Sequence, residues 1–327
     1  MTGVSDSFQR PINYLRVSVT DRCNLRCIYC MPEQGVQLTA HENILSFEEI
    51  FSVIECAAAM GINKVRLTGG EPLVRKDITR LVRMIAGIKT IDDISLTTNG
   101  VLLSPLAEEL KEAGLGRVNI SLDTLQPKRF TEITRRGNLA DVLAGVKAAQ
   151  AAGLNPVKIN TVVMAGINDD EITAFTEKTV HDGWHVRFIE LMPSEANGGN
   201  TSRLVTTPDI IKRISAIGEL TPANITAGNG PARYFQLSEA TGTIGFITPI
   251  SEHFCIKCNR LRLTADGKLR PCLMNEMEVD LRQPLRNGAG QKELSELVKQ
   301  AIDQKPKGHL LVDGKIPGDR SFSQVGG

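Results

Sequence analysis

Short segments in which apolar and polar residues alternate recur along the first two-thirds of the chain, each followed by a stretch with helical periodicity. In 14–20, Leu15, Val17 and Val19 share one face while Arg16, Ser18 and Thr20 share the other. The same alternation sets Arg66 and Thr68 opposite Val65 and Leu67, and Ser95 and Thr97 opposite Ile94 and Leu96. It sets Asn119, Ser121 and Asp123 opposite Val118, Ile120 and Leu122, and Lys158 and Asn160 opposite Val157 and Ile159. Strands are therefore expected to begin near Tyr14, Lys64, Ile94, Arg117, Val157 and His185. Helices are expected between them. Ser46 and Glu49 form a capping box for a run to Met60 closed by Gly61, and further helical stretches span 77–85, 104–113 with Pro105 at the first position, 141–152 and 170–182.

Six β/α units in series predict a parallel sheet with right-handed crossovers. Central strands covered on both faces would read as near-continuous Val, Ile and Leu, and a closed eight-stranded barrel would fill its interior with branched apolar residues. These strands keep one polar face. The expected fold is thus α/β: an open, six-stranded partial β/α barrel with a wet cavity, spanning 1–217 and ending in a helix over 207–217. Residues 218–327 would form a smaller C-terminal α+β domain, with β segments at 232–237 and 243–247. There an Asp266-Gly267 turn joins 260–264 to 268–270, and 291–303 form an amphipathic helix.

Arg16, Arg66 and Lys158 would all point into the cavity, and burying an unpaired cation costs several kcal/mol. Pairing with Asp123 and Glu190 is one remedy; a polyanionic ligand is the other and is preferred. The bulk composition gives no competing signal: 327 residues, 23% charged, net charge +1, which points to no nucleic-acid or generally acidic partner. No apolar run reaches the roughly 18 residues of a membrane span, and residues 1–10 lack the features of a secretory signal, so a cytosolic protein is expected.

The loops after the strands carry the chemistry. After the first strand come Cys23, Cys27 and Cys30; after the second, Thr68-Gly69-Gly70-Glu71-Pro72, where glycines permit close backbone approach and a carboxylate is within reach of an ammonium; after the third, Thr97-Thr98-Asn99-Gly100. Three clustered thiols suit a 4Fe-4S cluster with one iron left open, with a structural zinc knuckle as the alternative. A second trio, Cys255, Cys258 and Cys272, is brought together across the 260–270 hairpin, where zinc with His253 as fourth ligand also remains possible. Arg260 and Arg262 share a strand face beside it and suit phosphate or purine recognition, or are simply exposed charges. The seventh cysteine, Cys56, reads as a core residue.

These motifs resemble those of the radical S-adenosylmethionine superfamily. The combination of the Cys-x3-Cys-x2-Cys loop, Gly69 to Pro72, Phe188 to Pro193, Cys255 to Arg262 and a terminal Gly326-Gly327 is similar to its GTP 3′,8-cyclase family, from Tyr14 to Gly327. The resemblance implies that Cys23, Cys27 and Cys30 hold a first 4Fe-4S cluster and Cys255, Cys258 and Cys272 a second, with an open iron that takes the guanine base. It implies S-adenosylmethionine contacts at Tyr29, Gly70, Ser121 and Met192, and GTP contacts at Arg16, Arg66, Thr97, Lys158, Arg260 and Arg262. It further implies radical cyclisation of GTP as the first step of molybdenum cofactor biosynthesis, an external electron donor and a C-terminal segment reaching into the site, with Arg320 assisting. A homodimer is also possible, and a peptide-modifying enzyme with an auxiliary cluster is the competing activity.

Overall fold

A computed structural model describes residues 3–194, 198–199, 202–224, 230–309, 311 and 320–326. Its centre is a run of parallel strands: β1 (Tyr14–Ser18), β2 (Lys64–Thr68), β3 (Asp93–Thr98), β4 (Arg117–Ser121), β5 (Lys158–Val163) and β6 (His185–Glu190). Each start lies within one residue of the position the alternation predicts. The helix Phe47–Ala59 carries both reciprocal bonds of the Ser46/Glu49 capping box, and Gly61 leaves it at φ +98°.

The six expected strands are the middle of something larger. A twelve-stranded sheet runs β12-β11-β10-β1-β2-β3-β4-β5-β6-β9-β8-β7. The strands β7 (Leu220–Pro222), β8 (Arg233–Leu237) and β9 (Thr243–Ile247) extend it beyond β6, while β10 (Arg260–Leu263), β11 (Lys268–Arg270) and β12 (Val279–Asp280) extend it beyond β1. Both β9 and β10 join in parallel with their neighbours, and the outer strands are antiparallel. The chain after residue 218 therefore adds strands to both edges of one sheet.

One face of the central strands is the core. Leu15, Val17, Val65, Leu67, Ile94, Leu96, Val118, Ile120 and Ile159 are all buried there, with helices such as Phe47–Ala59 and Ile78–Ala86 against it. Burying side chains of this size contributes roughly 1.5–3 kcal/mol each. The opposite face is buried as well, yet polar: Arg66, Ser95, Arg117, Asn119, Lys158 and Arg187 are each less than a tenth exposed. A protein rarely buries so many polar groups on one sheet face without a function for them.

Candidate active site

Strand register places the cations in a row. Arg270 pairs with Arg262, Arg262 with Arg16, Arg16 with Arg66, Arg66 with Ser95 and Ser95 with Arg117, each directly across from the next. A second row runs Thr97, Asn119, Lys158, His185. Like charges facing each other across a ladder are destabilising, so the row is held together by the packing behind it. Arg66 donates to Ser95 Oγ at 3.2 Å and lies 5.4 Å over the Tyr14 ring. Burial, joined by Arg262 and Arg66, pushes Arg16 well below its usual pKa; burial brings Arg66 to about 10 and Arg262 to about 9. Lys158 falls to about 6, through burial and then Arg187, Arg117 and Arg66.

The acids that could have neutralised these cations are engaged elsewhere. Glu190 accepts from the backbone N–H groups of Thr207, Ile250 and Ser251 at 3.0–3.1 Å. Asp123 accepts from Val162 N and Tyr29 Oη, both at 2.8 Å. The expected alternative of pairing with Asp123 and Glu190 is thus not what the structure shows. Two members of the row are neutralised: Arg117 by Asp93 through a two-point contact at 2.5 and 3.1 Å, and Arg270 by Glu278 at 2.8 Å. Thr97 Oγ1 and Asn160 Oδ1 are buried on this face without a hydrogen-bond partner, as polar atoms lined up for a ligand would be.

At the carboxyl ends of β1 and β2 the cysteine loop meets the glycine loop. The turn after Cys27 is closed by Cys30 N and Met31 N on Cys27 O. Helix Pro127–Thr134 pins the loop from behind, with Arg26 N on Thr134 O at 2.9 Å and Ile28 N on Ile133 O at 3.0 Å; Arg135 donates to Arg26 O and Met31 O. That helix was not among those expected from the pattern, although Pro127 at its first turn is a legible start signal. Gly70 N donates to Thr20 O at 2.7 Å, and a Cβ on Gly70 would lie 2.3 Å from Arg22 O, so only glycine fits.

Glu71 departs from expectation. Its carboxylate, expected within reach of a ligand ammonium, instead accepts from Leu73 N at 3.0 Å, Thr98 Oγ1 at 2.7 Å and Asn99 N at 2.7 Å, tying the second loop to the third. Burial still holds its pKa up at about 7. Of the other residues matched to S-adenosylmethionine contacts, Tyr29 is held by Asp123 and by Ser194 Oγ on its carbonyl, Ser121 ends β4, and Met192 follows β6.

The donor set suits an iron cluster. Burial first, then the negative charge of neighbouring thiolates, raises Cys27 strongly and Cys30 to about 12; burial raises Cys23 to about 11. Neighbouring thiolates that repel one another are stabilised together only when a metal takes their charge. At the other trio, Cys255, Cys258 and Cys272 act on one another electrostatically. There Cys258 is brought down to about 6 against the effect of its burial, by Arg260 and Lys305, so one thiolate is ready for metal at neutral pH. Lys305 Nζ is fixed by Arg260 O and Pro271 O, and Arg260 lies over the Phe254 ring. His253, the alternative zinc ligand, packs edge-on to His309. Among the described residues no group of three or more His, Cys, Asp or Glu is placed to hold a single metal ion.

Sequence reasoning missed three buried cations of this face, Arg117, Arg187 and Arg270. Arg187 donates to Asn119 Oδ1 at 2.5 Å and stands near Lys158, Arg66 and Arg117. The register partner of Lys158 is His185, so continuing the alternation from His185 to Arg187, and from Asn119 back to Arg117, identifies both.

Comparison with known proteins agrees with this arrangement. The Radical SAM superfamily model matches residues 17–178, and the Molybdenum Cofactor Synthesis C model matches residues 184–311. Among solved structures, Streptococcus suis SuiB bound to precursor peptide SuiA superposes with a TM-score of 0.64 at 13% identity, covering 98% of this chain and 76% of that one. SuiB bound to S-adenosylmethionine gives 0.61 at 16% identity, covering 83% and 64%. The fold and the cysteine loop are those of a radical S-adenosylmethionine enzyme, a class that carries a 4Fe-4S cluster and uses S-adenosylmethionine. Curated relatives narrow this further. GTP 3′,8-cyclase of Pelotomaculum thermopropionicum is 54% identical, covering 99% of this chain and all of the relative; that of Moorella thermoacetica is 53% identical over the same shares. The chain belongs to the GTP 3′,8-cyclase family. No helix among the described residues is long and apolar enough to cross a membrane.

Proposed function

We propose that the protein converts GTP to (8S)-3′,8-cyclo-7,8-dihydroguanosine 5′-triphosphate, the first step of molybdenum cofactor biosynthesis, in the cytoplasm. The observation that carries the reading is the buried cation row of the sheet's polar face, lying between two thiol trios in a chain whose relatives share the cyclase name over their full length. Three guanidiniums in adjacent register, Arg262, Arg16 and Arg66, with Lys158 one row on, suit the charge of a triphosphate.

Cys23, Cys27 and Cys30 hold the first 4Fe-4S cluster, and Cys255, Cys258 and Cys272 the second. When bound, the first cluster would supply one electron for cleavage of S-adenosylmethionine to methionine and a 5′-deoxyadenosyl radical, which would take the ribose 3′ hydrogen of GTP; closing C3′ on C8 would leave the unpaired electron on the purine, to be quenched by a second electron and a proton. Both electrons come from an external donor. This chain's residues supply position. Tyr29, Gly70, Ser121 and Met192 hold S-adenosylmethionine at the carboxyl ends of the strands, while Arg16, Arg66, Thr97, Lys158, Arg260 and Arg262 hold GTP lower on the same face. Gly70 carries no side chain because its Cβ direction is filled by the Arg22 and Asp21 backbone, which leaves its own backbone for the ligand. Holding the two substrates on one rigid sheet face is worth several kcal/mol of barrier and keeps water from the radical. The central strands form the partial barrel, and 218–327 form the region of the second cluster.

Support for this activity over peptide modification comes from the full-length identity to cyclases, since SuiB shares the fold at only 13–16% identity. The test is anaerobic turnover with reductant, S-adenosylmethionine and GTP deuterated at C3′. Deuterium is expected in 5′-deoxyadenosine, and its absence during turnover would sink the assignment of the hydrogen abstracted.

A further inference from the structure

The loop ahead of β1 reaches across to the second thiol trio. Asp6 Oδ1 accepts from Phe8 N and Arg10 N at 2.9 and 3.0 Å, and Asp6 Oδ2 accepts from Arg10 Nε at 2.6 Å; both side chains are buried. The two Nη atoms of Arg10 are left for other partners. Nη1 donates to Cys255 O at 2.7 Å and to Lys307 O at 3.1 Å, and Nη2 donates to Pro306 O at 2.7 Å. Cys255 O is also the acceptor that closes the Cys255–Cys258 turn, from Cys258 N at 3.1 Å. Arg10 therefore joins the turn bearing two of the thiols to the chain just past helix Gln291–Asp303.

The third thiol is tied to the same stretch. In the β10–β11 ladder Arg262 pairs with Arg270, so Arg260 O and Pro271 O lie past its open end. Lys305 Nζ bridges them, at 2.7 and 2.6 Å. Cys272 follows Pro271, and Cys258 lies two residues before Arg260. Lys305 is buried, and its own N–H donates to Ile302 O of the helix at 3.1 Å. Burying two cations is costly. What these two achieve is alignment, since every segment that bears a thiol of this trio is fixed to residues 305–307.

We propose, resting on the reading of this trio as a cluster site, that Arg10 and Lys305 are its positioning residues, holding Cys255 O, Arg260 O and Pro271 O so that Cys255, Cys258 and Cys272 are taken together by one cluster. Ligands on separate segments bind well when their separations are preset; otherwise ordering the segments subtracts from the affinity. A substrate that meets such a cluster is placed no better than the cluster itself.

The experiment uses the full chain as wild type, Arg10→Met, Arg10→Lys, Lys305→Met and Lys305→Arg, first metal-free and then with iron and sulfide reconstituted anaerobically. In the metal-free chains, hydrogen exchange of 255–258 and 272–274 is read against that of β3 and β4. Arg10→Met is expected to speed exchange in 255–258, and Lys305→Met in 272–274, by about tenfold or more, with β3 and β4 at the wild-type rate. After reconstitution both Met variants should fall toward about half the wild-type iron per chain. The change that S-adenosylmethionine causes in the EPR spectrum of the reduced protein, which reads the first cluster, should stay as in wild type. The change that GTP causes, which reads the second, should shrink by about fivefold or more. Lys305→Arg can still bridge two carbonyls and should recover the iron; Arg10→Lys, with one nitrogen for three carbonyls, should recover part of it. Wild-type exchange at both thiol segments in the Met variants overturns the proposal, as does faster exchange with full iron and an undiminished GTP effect. Iron lost from both trios, with faster exchange in β3 and β4, also overturns it, because that marks general destabilisation. A wild type that binds iron at the first trio alone would instead sink the second-cluster reading, and the metal-free exchange would still decide whether the two cations hold these segments.

Discussion

Arg16 and Arg66 sit directly across from each other on adjacent parallel strands, both on the polar face of the sheet, and Arg66 adds to the burial that lowers Arg16's affinity for its proton. An anion bound on this face would offset the repulsion. Replacing Arg66 by Met keeps most of its volume against Tyr14 and removes one charge. The ligand-free variant is expected to match or exceed wild-type thermal stability, because trading a buried charge for an apolar side chain is often neutral or stabilising. GTP affinity should fall by about tenfold or more, a loss of about 1.4 kcal/mol or greater. Calorimetry and thermal melts on the same samples check both halves; a variant that lost stability while keeping GTP affinity would show that Arg66 is structural.

Lys158 makes the same point through protons. With its pKa brought down to about 6 by burial and the neighbouring guanidiniums it is mostly neutral at pH 7, and a bound triphosphate would restore its charge. Binding must then take up a proton, and affinity should weaken as pH rises from 6 to 8, by at most tenfold per pH unit for one proton. Titration calorimetry in buffers of different ionisation enthalpy reads the uptake directly. Lys158→Met should bind GTP more weakly and abolish that proton; undiminished uptake in the variant would assign it to another group.

The Tyr29–Asp123 bond offers a test near the cysteine loop. Both partners are buried, and burial holds Asp123 up at about 6 while Tyr29 is raised well above its usual value. Tyr29→Phe strands one carboxylate oxygen without its donor, which costs about 1–3 kcal/mol. Since Asp123 stays anchored by Val162 N, the loss should be smaller in the Asp123→Asn background, giving a coupling that a double-mutant cycle on unfolding free energy resolves. Additive losses would mean that the hydrogen bond contributes nothing. The sign with pH is also fixed. A carboxyl whose pKa is raised on folding destabilises the native state as pH climbs from its unfolded value near 4 through 6, so the penalty at Asp123 is complete above about pH 6.

Much of this site could be read from local pattern, because strand alternation is a local property. Arg16, Arg66, Thr97 and Lys158 were assigned to one face by period-two reasoning alone, and the register puts them there. The two cysteine trios were equally legible as spacings. What local pattern could not carry was which strands become neighbours. Residues about 245 apart, Tyr14 and Arg260, pair because β10 docks on β1, and that contact alone puts Arg262 beside Arg16. Glu71 shows the same limit: its motif puts a carboxylate within reach of an ammonium, but says nothing of the donors on it, Thr98 Oγ1 and Asn99 N, which come from the next strand's loop. Gly327 and part of the 197–200 loop lie outside the described residues.

Glu71 therefore yields a prediction opposite to that of a ligand-binding carboxylate. Its two oxygens accept from three donors, two of them backbone N–H groups of different loops. Glu71→Gln places an amide NH2 against one of those N–H groups whichever way the side chain turns, because neither oxygen lacks a donor. A buried donor facing a donor costs about 1–3 kcal/mol, so the variant should melt several degrees lower. Its backbone displacement should also loosen Asn99, which donates to Asn24 Oδ1 at 2.8 Å in the cysteine loop. The expected kinetic signature is an enzyme that loads its first cluster less completely, seen as lower iron content and weaker absorbance per chain, but whose S-adenosylmethionine affinity per loaded cluster is close to wild type. If instead the variant kept its melting temperature and iron content and lost S-adenosylmethionine affinity, Glu71 would be a ligand contact and its position in this structure would describe only the empty site.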